Sequence, residues 1–167
     1  MKDKELQVIG RNVLMDIVGH VDKVPAKVDT GADSSSLWAS QIDVSTDGTL
    51  SFVLFGPSSP FYSGEVITRR AFAAAVVRSS NGIAQVRYRI ELPVRIAGKL
   101  VRAHFFLSDR SKNVFPILLG RRTLNKRFVV DVSVKEYYSK PKISRGLRRE
   151  FLQDPHAFHK KYHLKNY

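Results

Sequence analysis

Ala26-Lys27-Val28-Asp29-Thr30-Gly31-Ala32-Asp33-Ser34-Ser35 decides how this chain is read. A strand-like approach over 24–28 runs into Asp-Thr-Gly-Ala, which sets an aspartate at the start of a tight turn. Gly31 lets the backbone turn without interference from a Cβ, and its N–H can approach the Asp29 carboxylate. Ala32 is small enough for a second chain to come close, and the Thr30 hydroxyl can bond across a symmetric interface. Much later, Phe115-Pro116-Ile117-Leu118-Leu119-Gly120-Arg121 forms an apolar run ending in Gly-Arg. Asp-Thr-Gly occurs once, so a pair of such carboxylates requires two copies of the chain. At a two-fold axis the two Asp29 side chains would come within hydrogen-bonding range and share one proton, because like charges that close do not both ionise easily. One carboxylate could then take a proton from water while the other donates to a scissile carbonyl oxygen.

The remainder of the chain reads as mainly β. Short strands are expected over 6–9, 12–18, 24–28 and 50–55, and 65–77 is read as strand on its Val, Ala and Phe content. Val86, Tyr88, Ile90 and Leu92 alternate with Arg87, Arg89 and Glu91, the period of a half-buried strand. Pro93 predicts an edge or a bulge there. Ala97-Gly98-Lys99 turns the chain into a returning strand over 100–107, and Ser79-Ser80-Asn81-Gly82 predicts the tip of a second hairpin. One or two helical turns follow Gly120, then a strand over 128–134. Trp38 is assigned to core packing.

The 167 residues fit one domain with an extension, read as 1–138 and 139–167. In the extension, Lys140, Lys142, Arg145, Arg148, Arg149, Lys160, Lys161 and Lys165 oppose only Glu150 and Asp154. Phe151, Phe158 and Tyr162 have the spacing of an amphipathic helix, and Asp154-Pro155 reads as a helix start. The whole chain carries a formal charge of +13 and no cysteine. Disulfides and thiolate metal sites are thereby excluded. The charge favours anionic partners: nucleic acid or a ribosome through the tail, or acidic polypeptides. The charged start, Met1-Lys2-Asp3-Lys4-Glu5, lacks the apolar stretch of a signal peptide, and no run is long enough to cross a membrane; a cytoplasmic location is the expectation.

These stretches together resemble the bacterial retropepsin-like aspartic protease family often labelled ATP-dependent zinc proteases, which is similar to the retroviral aspartic proteases. The resemblance rests on 26–32, Val77-Arg78-Ser79-Ser80-Asn81-Gly82, Leu107-Ser108-Asp109-Arg110-Ser111, 115–121 and Arg127-Phe128-Val129-Val130-Asp131. It implies a closed β-barrel-like protomer, a homodimer with the active site on its axis, and Asp29 as the catalytic acid of each copy. It further implies that Ser79, Ser80, Asn81 and Gly82 form a flap tip. Gly120 then lets a second loop pass beside the catalytic turn, and Asp33 and Arg121 form an ion pair. In the bacterial group the place of Asp33 is often basic, a departure that bears on specificity. Some members resemble partners of ligases that add glutamates to proteins, which suggests an acidic, glutamate-rich substrate.

The words zinc and ATP find no support in the residues. There is no His-Glu-x-x-His and no phosphate loop ending in Gly-Lys-Ser or Gly-Lys-Thr, so no cofactor is expected. His156, His159 and His163 would share a helix face, but no acid or cysteine stands within the cluster, and a solvated basic helix is the simpler reading. Two functions remain open: an aspartic-type endopeptidase, or a catalytically silent dimeric module that binds peptide or nucleic acid through the same scaffold and the basic tail.

Overall fold

The structure, a computed structural model, describes residues 6–78, 82–136 and 145–162. By internal contacts the chain forms two compact units, 1–137 and 138–167. The first contains β1 (Gln7–Ile9), β2 (Asn12–Ile17), β3 (Val21–Val28), β4 (Ser35–Val44), β5 (Leu50–Leu54) and β6 (Val66–Arg69). It continues with β7 (Ala73–Arg78), β8 (Ala84–Ile96), β9 (Lys99–Ser108), β10 (Ile117–Leu119), α1 (Arg121–Leu124) and β11 (Phe128–Val130).

Six strands close on themselves in the order β2-β3-β10-β4-β9-β8 and back to β2. Alternation drives the closure. On β8, Ile90, Leu92, Val94 and Ile96 are buried while Glu91, Pro93 and Arg95 are exposed. On β9, Val101, Ala103, Phe105 and Leu107 turn inward in the same way. A period of two puts each strand's apolar set on one face, and curling the sheet buries that face without free edges. Met15, Ile17, Leu37, Phe105 and Ile117 are fully buried in the resulting core. β5 and β6 extend the sheet beyond β4, and β7 pairs with β8. A separate parallel pair, β1 with β11, matches Val8 to Val129.

Several elements differ from the sequence expectation. β4 is ten residues long where no strand is expected, because its Ser-rich start reads as loop; its first five residues are all buried. The 65–77 segment divides into β6 and β7 rather than one strand. Of its two expected settings, Pro93 is not at a bulge; it stands at a local edge, in a stretch of β8 paired only with β9. It pairs with Arg102 of β9, and its carbonyl accepts the Val18 N–H at 3.0 Å. Its missing N–H points to that same flank, just beyond the last residue paired with β2, where no ladder bond is forfeited. β11 ends at Val130, because the Asp131 side chain accepts the Ser133 N–H at 2.9 Å and turns the chain.

The two expected hairpins are present. Ile96 pairs with Lys99 across Ala97 and Gly98, both at positive φ, as a two-residue turn of matching twist requires. Arg78 pairs with Ala84 at the end of the β7–β8 ladder. Of the tip, Gly82 is described and Ser79, Ser80 and Asn81 lie outside the described residues.

The second unit holds α2 (Arg145–Gln153) and α3 (Pro155–Tyr162). The chain breaks between them because Asp154 caps α3, its Oδ1 accepting the N–H groups of His156 and Ala157 at 3.0 and 2.9 Å. Phe151, Phe158 and Tyr162 therefore form one cluster across two helices rather than the stripe of a single helix. His163 lies outside the described residues.

Candidate active site

β10 runs between β3 and β4, parallel to the first and antiparallel to the second. The turn that joins β3 to β4 therefore arches over the end of β10, with Asp29 at its start. The Asp29 N–H donates to Leu119 O at 2.9 Å, which ties the aspartate to the last residue of β10. On the far side of the arch, Arg121 N–H donates to Ala32 O at 2.8 Å and Arg122 N–H to Asp33 O at 3.2 Å. Gly120 N–H donates to the buried Ser35 hydroxyl at 3.0 Å, and that hydroxyl lies 2.7 Å from Thr123 Oγ1. These backbone hydrogen bonds tie the two segments of the crossing together.

Gly120 is present for space, not for conformation. Its φ of −91° is open to any residue. A Cβ there would lie 2.5 Å from both the carbonyl carbon and oxygen of Ser34. Gly31 is different. Its φ is not in the left-handed region, and an added Cβ would meet only Asp29 Oδ1, at 3.4 Å, an ordinary contact. The expectation that Gly31 is needed for the turn itself is therefore not what its surroundings within the chain require.

The Asp29 carboxylate is half-buried. Its Oδ1 accepts the N–H groups of Gly31 and Ala32 at 3.1 and 3.2 Å. Its Oδ2 lies 3.3 Å from Lys27 Nζ. Partial burial pushes its pKa up, but the Lys27 ammonium and the two N–H groups outweigh that and hold the carboxyl below its ordinary value. Lys27 stands two residues before Asp29, and the period of a strand places their side chains on one flank. That spacing is the signal by which the sequence could have disclosed it. Thr30 and Gly31 are exposed and Ala32 is half-buried, so the motif faces outward from the protomer. Among the described residues the Thr30 hydroxyl makes no hydrogen bond.

Arg121 Nη2 lies 3.4 Å from Asp33 Oδ1. Arg122, not anticipated from the sequence, is nearer, with Nη2 at 2.8 Å from Asp33 Oδ2. All three side chains are more than half exposed, which makes these ordinary surface pairs. A recess of about 680 Å³ opens beside Thr30, Asp33, Arg121 and Arg122, floored by Leu124, Phe128 and Val130. Trp38 is buried edge-on to Phe55, with ring centroids 6.3 Å apart. Among the described residues no three His, Cys, Asp or Glu side chains come together to hold a metal, so the donor set does not fit zinc. No helix among them is long and apolar enough to cross a membrane.

A closed six-stranded barrel, with β10 threaded through an Asp-Thr-Gly turn, defines a retropepsin-like fold. A solved structure from Legionella pneumophila subsp. pneumophila str. Philadelphia 1, a protein of unknown function (DUF785), shares it: the TM-score is 0.60 at 21% identity, covering 78% of this chain and 97% of that one. The chain belongs to the RimB-like family, described as retropepsin-like aspartic endopeptidase RimB, which matches residues 8–141. A comparison with curated proteins found no match.

Proposed function

We propose that the protein is a homodimeric aspartic endopeptidase in which Asp29 of each copy supplies half of a catalytic dyad, carried by a domain of residues 1–138. The observation that carries this reading is an Asp29 carboxylate fixed at a strand end by two backbone N–H groups, on a turn whose Thr30 and Gly31 face outward. Gly31 has no steric need to be glycine within the chain, so its smallness serves close approach by another molecule. The unbonded Thr30 hydroxyl is suited to a bond across a two-fold axis. Val8 and Val129, paired in register and well exposed, offer apolar surface to a second copy.

The chemistry follows from charge. In a single copy, Lys27 and the turn N–H groups favour the ionised carboxylate. Bringing a second carboxylate to hydrogen-bonding range raises one pKa of the pair, so the dyad holds one proton between its two members. The ionised member takes a proton from a bound water, which attacks the scissile carbonyl carbon. The protonated member donates to the carbonyl oxygen, and no covalent acyl intermediate forms. In this reading the β7–β8 hairpin serves as the flap.

The substrate class we infer is an acidic, glutamate-rich peptide. The +13 charge supports it. So does a pair of arginines: Arg110 is half-buried, and burial and then the charge of Arg87 both lower its pKa. Neither has a carboxylate partner among the described residues. Peptide cleavage by wild type and Asp29→Asn, read together with solution mass, tests the proposal. A dimer whose cleavage falls at least about a hundredfold in the variant is expected. Undiminished cleavage in Asp29→Asn, or a strict monomer that cleaves, would refute it.

A further inference from the structure

A second cavity, of about 430 Å³, lies on the outer face of β8 and β9 and does not include Asp29. Its floor is set by alternation. Arg89 and Glu91 of β8 and Arg102 and His104 of β9 take the positions between the inward apolar residues. Glu91 pairs in register with His104, and Arg89 with Phe106. Arg122, Thr123 and Arg127 close one side, and Ser34 and Ser35 another.

Four guanidinium groups therefore meet one lining carboxylate. Glu91 is already engaged, by Arg102 at 3.1 Å and by His104 at 3.7 Å. Arg122 is paired with Asp33 at 2.8 Å. Arg127 Nη1 donates to the carbonyls of Arg122, Thr123 and Asn125 at 3.2, 3.3 and 3.4 Å, which fixes the group without neutralising it. The Arg89 residue is half-buried, and its guanidinium has no hydrogen bond or ion pair among the described residues. Arginine withdrawn from water is ordinarily paired. Two cationic charges, Arg89 and Arg127, thus remain uncompensated at one concave place.

We propose that this cavity binds a small, multiply charged phosphate-type oxyanion, gripped by Arg89 and Arg127 with Arg102 and His104 as further donors. The volume is at the lower end of small-molecule sites, roughly 300–1,000 Å³, and excludes a nucleic-acid strand as the fitting occupant. Among the described residues no aromatic side chain lines it to stack a base. A phosphate group brings two charges to one point and accepts bidentate arginine forks, which matches the excess better than the single charge of a carboxylate. The site shares Arg122 and Ser35 with the supports of the Asp29 turn, yet the proposal does not depend on the endopeptidase reading.

Calorimetric titration of the full chain with pyrophosphate at fixed ionic strength tests it. One saturable site per chain is expected. Arg89→Gln should weaken it at least tenfold, and so should Arg102→Gln, whose side chain is well exposed. Arg148→Gln/Arg149→Gln on α2 should leave affinity unchanged. Asp29→Asn should also bind normally, so a failure here is separable from a failure of the proteolytic reading. Absence of saturable binding overturns the proposal, as does equal loss in the α2 variant. Tighter binding of triglutamate than of pyrophosphate, lost in Arg89→Gln, overturns the phosphate class.

Discussion

Replacing Gly120 by alanine tests whether the crossing of β10 through the Asp29 turn is built on backbone contact. The new Cβ would lie 2.5 Å from the Ser34 carbonyl carbon and oxygen and 2.9 Å from its nitrogen. No side chain can rotate away, because all three atoms are main chain. Reaching an ordinary 3.4 Å contact requires the two segments to part by about 0.9 Å. The bonds holding them are Arg121 N–H to Ala32 O at 2.8 Å, Arg122 N–H to Asp33 O at 3.2 Å and Gly120 N–H to Ser35 Oγ at 3.0 Å. The same displacement stretches each past hydrogen-bonding range. At roughly 0.5–1.5 kcal/mol per bond, the expected loss is about 2–4 kcal/mol, in line with overpacking costs of about 1–3 kcal/mol in tight interiors. Urea unfolding at fixed protein concentration, followed by the fluorescence of buried Trp38, reads this as a lower midpoint at unchanged slope. A loss below about 0.5 kcal/mol, the scale of a neutral surface change, would refute the close-approach argument.

Gly31→Ala should behave oppositely: protomer stability stays within about 0.5 kcal/mol, while dimerisation measured by sedimentation weakens, since the added methyl meets little within its own chain. Lys27→Met should raise the Asp29 pKa, followed by carboxyl carbon NMR. Because that pKa is depressed in the folded chain, its stabilisation is present above the unfolded value and is lost as pH falls through the folded one. The variant should therefore lose less stability on acidification below about pH 4 than the wild type does. Ser35→Ala removes the buried acceptor of Gly120 N–H and the partner of Thr123, with an expected cost of about 1–3 kcal/mol in chemical denaturation. Asp33→Asn, by contrast, breaks only exposed pairs and should cost less than about 1 kcal/mol in the same measurement.

Much of this molecule is legible in the linear order of its residues. Asp29, Thr30 and Gly31 after an apolar approach, and Gly120-Arg121 after another, mark two segments whose chemistry makes sense only together. The alternation from Val86 to Leu92 and the Ala97-Gly98 turn disclose a hairpin, because side-chain direction in a strand depends on parity alone. Asp154-Pro155 discloses a cap, because the groups it satisfies are its immediate neighbours. Distance in space is what sequence order does not carry. β4 opens on two serines that look like loop, and it is a strand because β9 and β10 flank its opening residues on both sides. Pro93 sits within a paired strand because β2 happens to end beside it. Arg122 reaches Asp33, and Arg89 and Arg127 line one cavity, only because the barrel closes and carries α1 against the sheet. Local preference determined the segments and the acid at the tip of one turn. The tertiary structure decided which charges were neutralised and which were left uncompensated, since that depends on contacts between residues far apart in the chain.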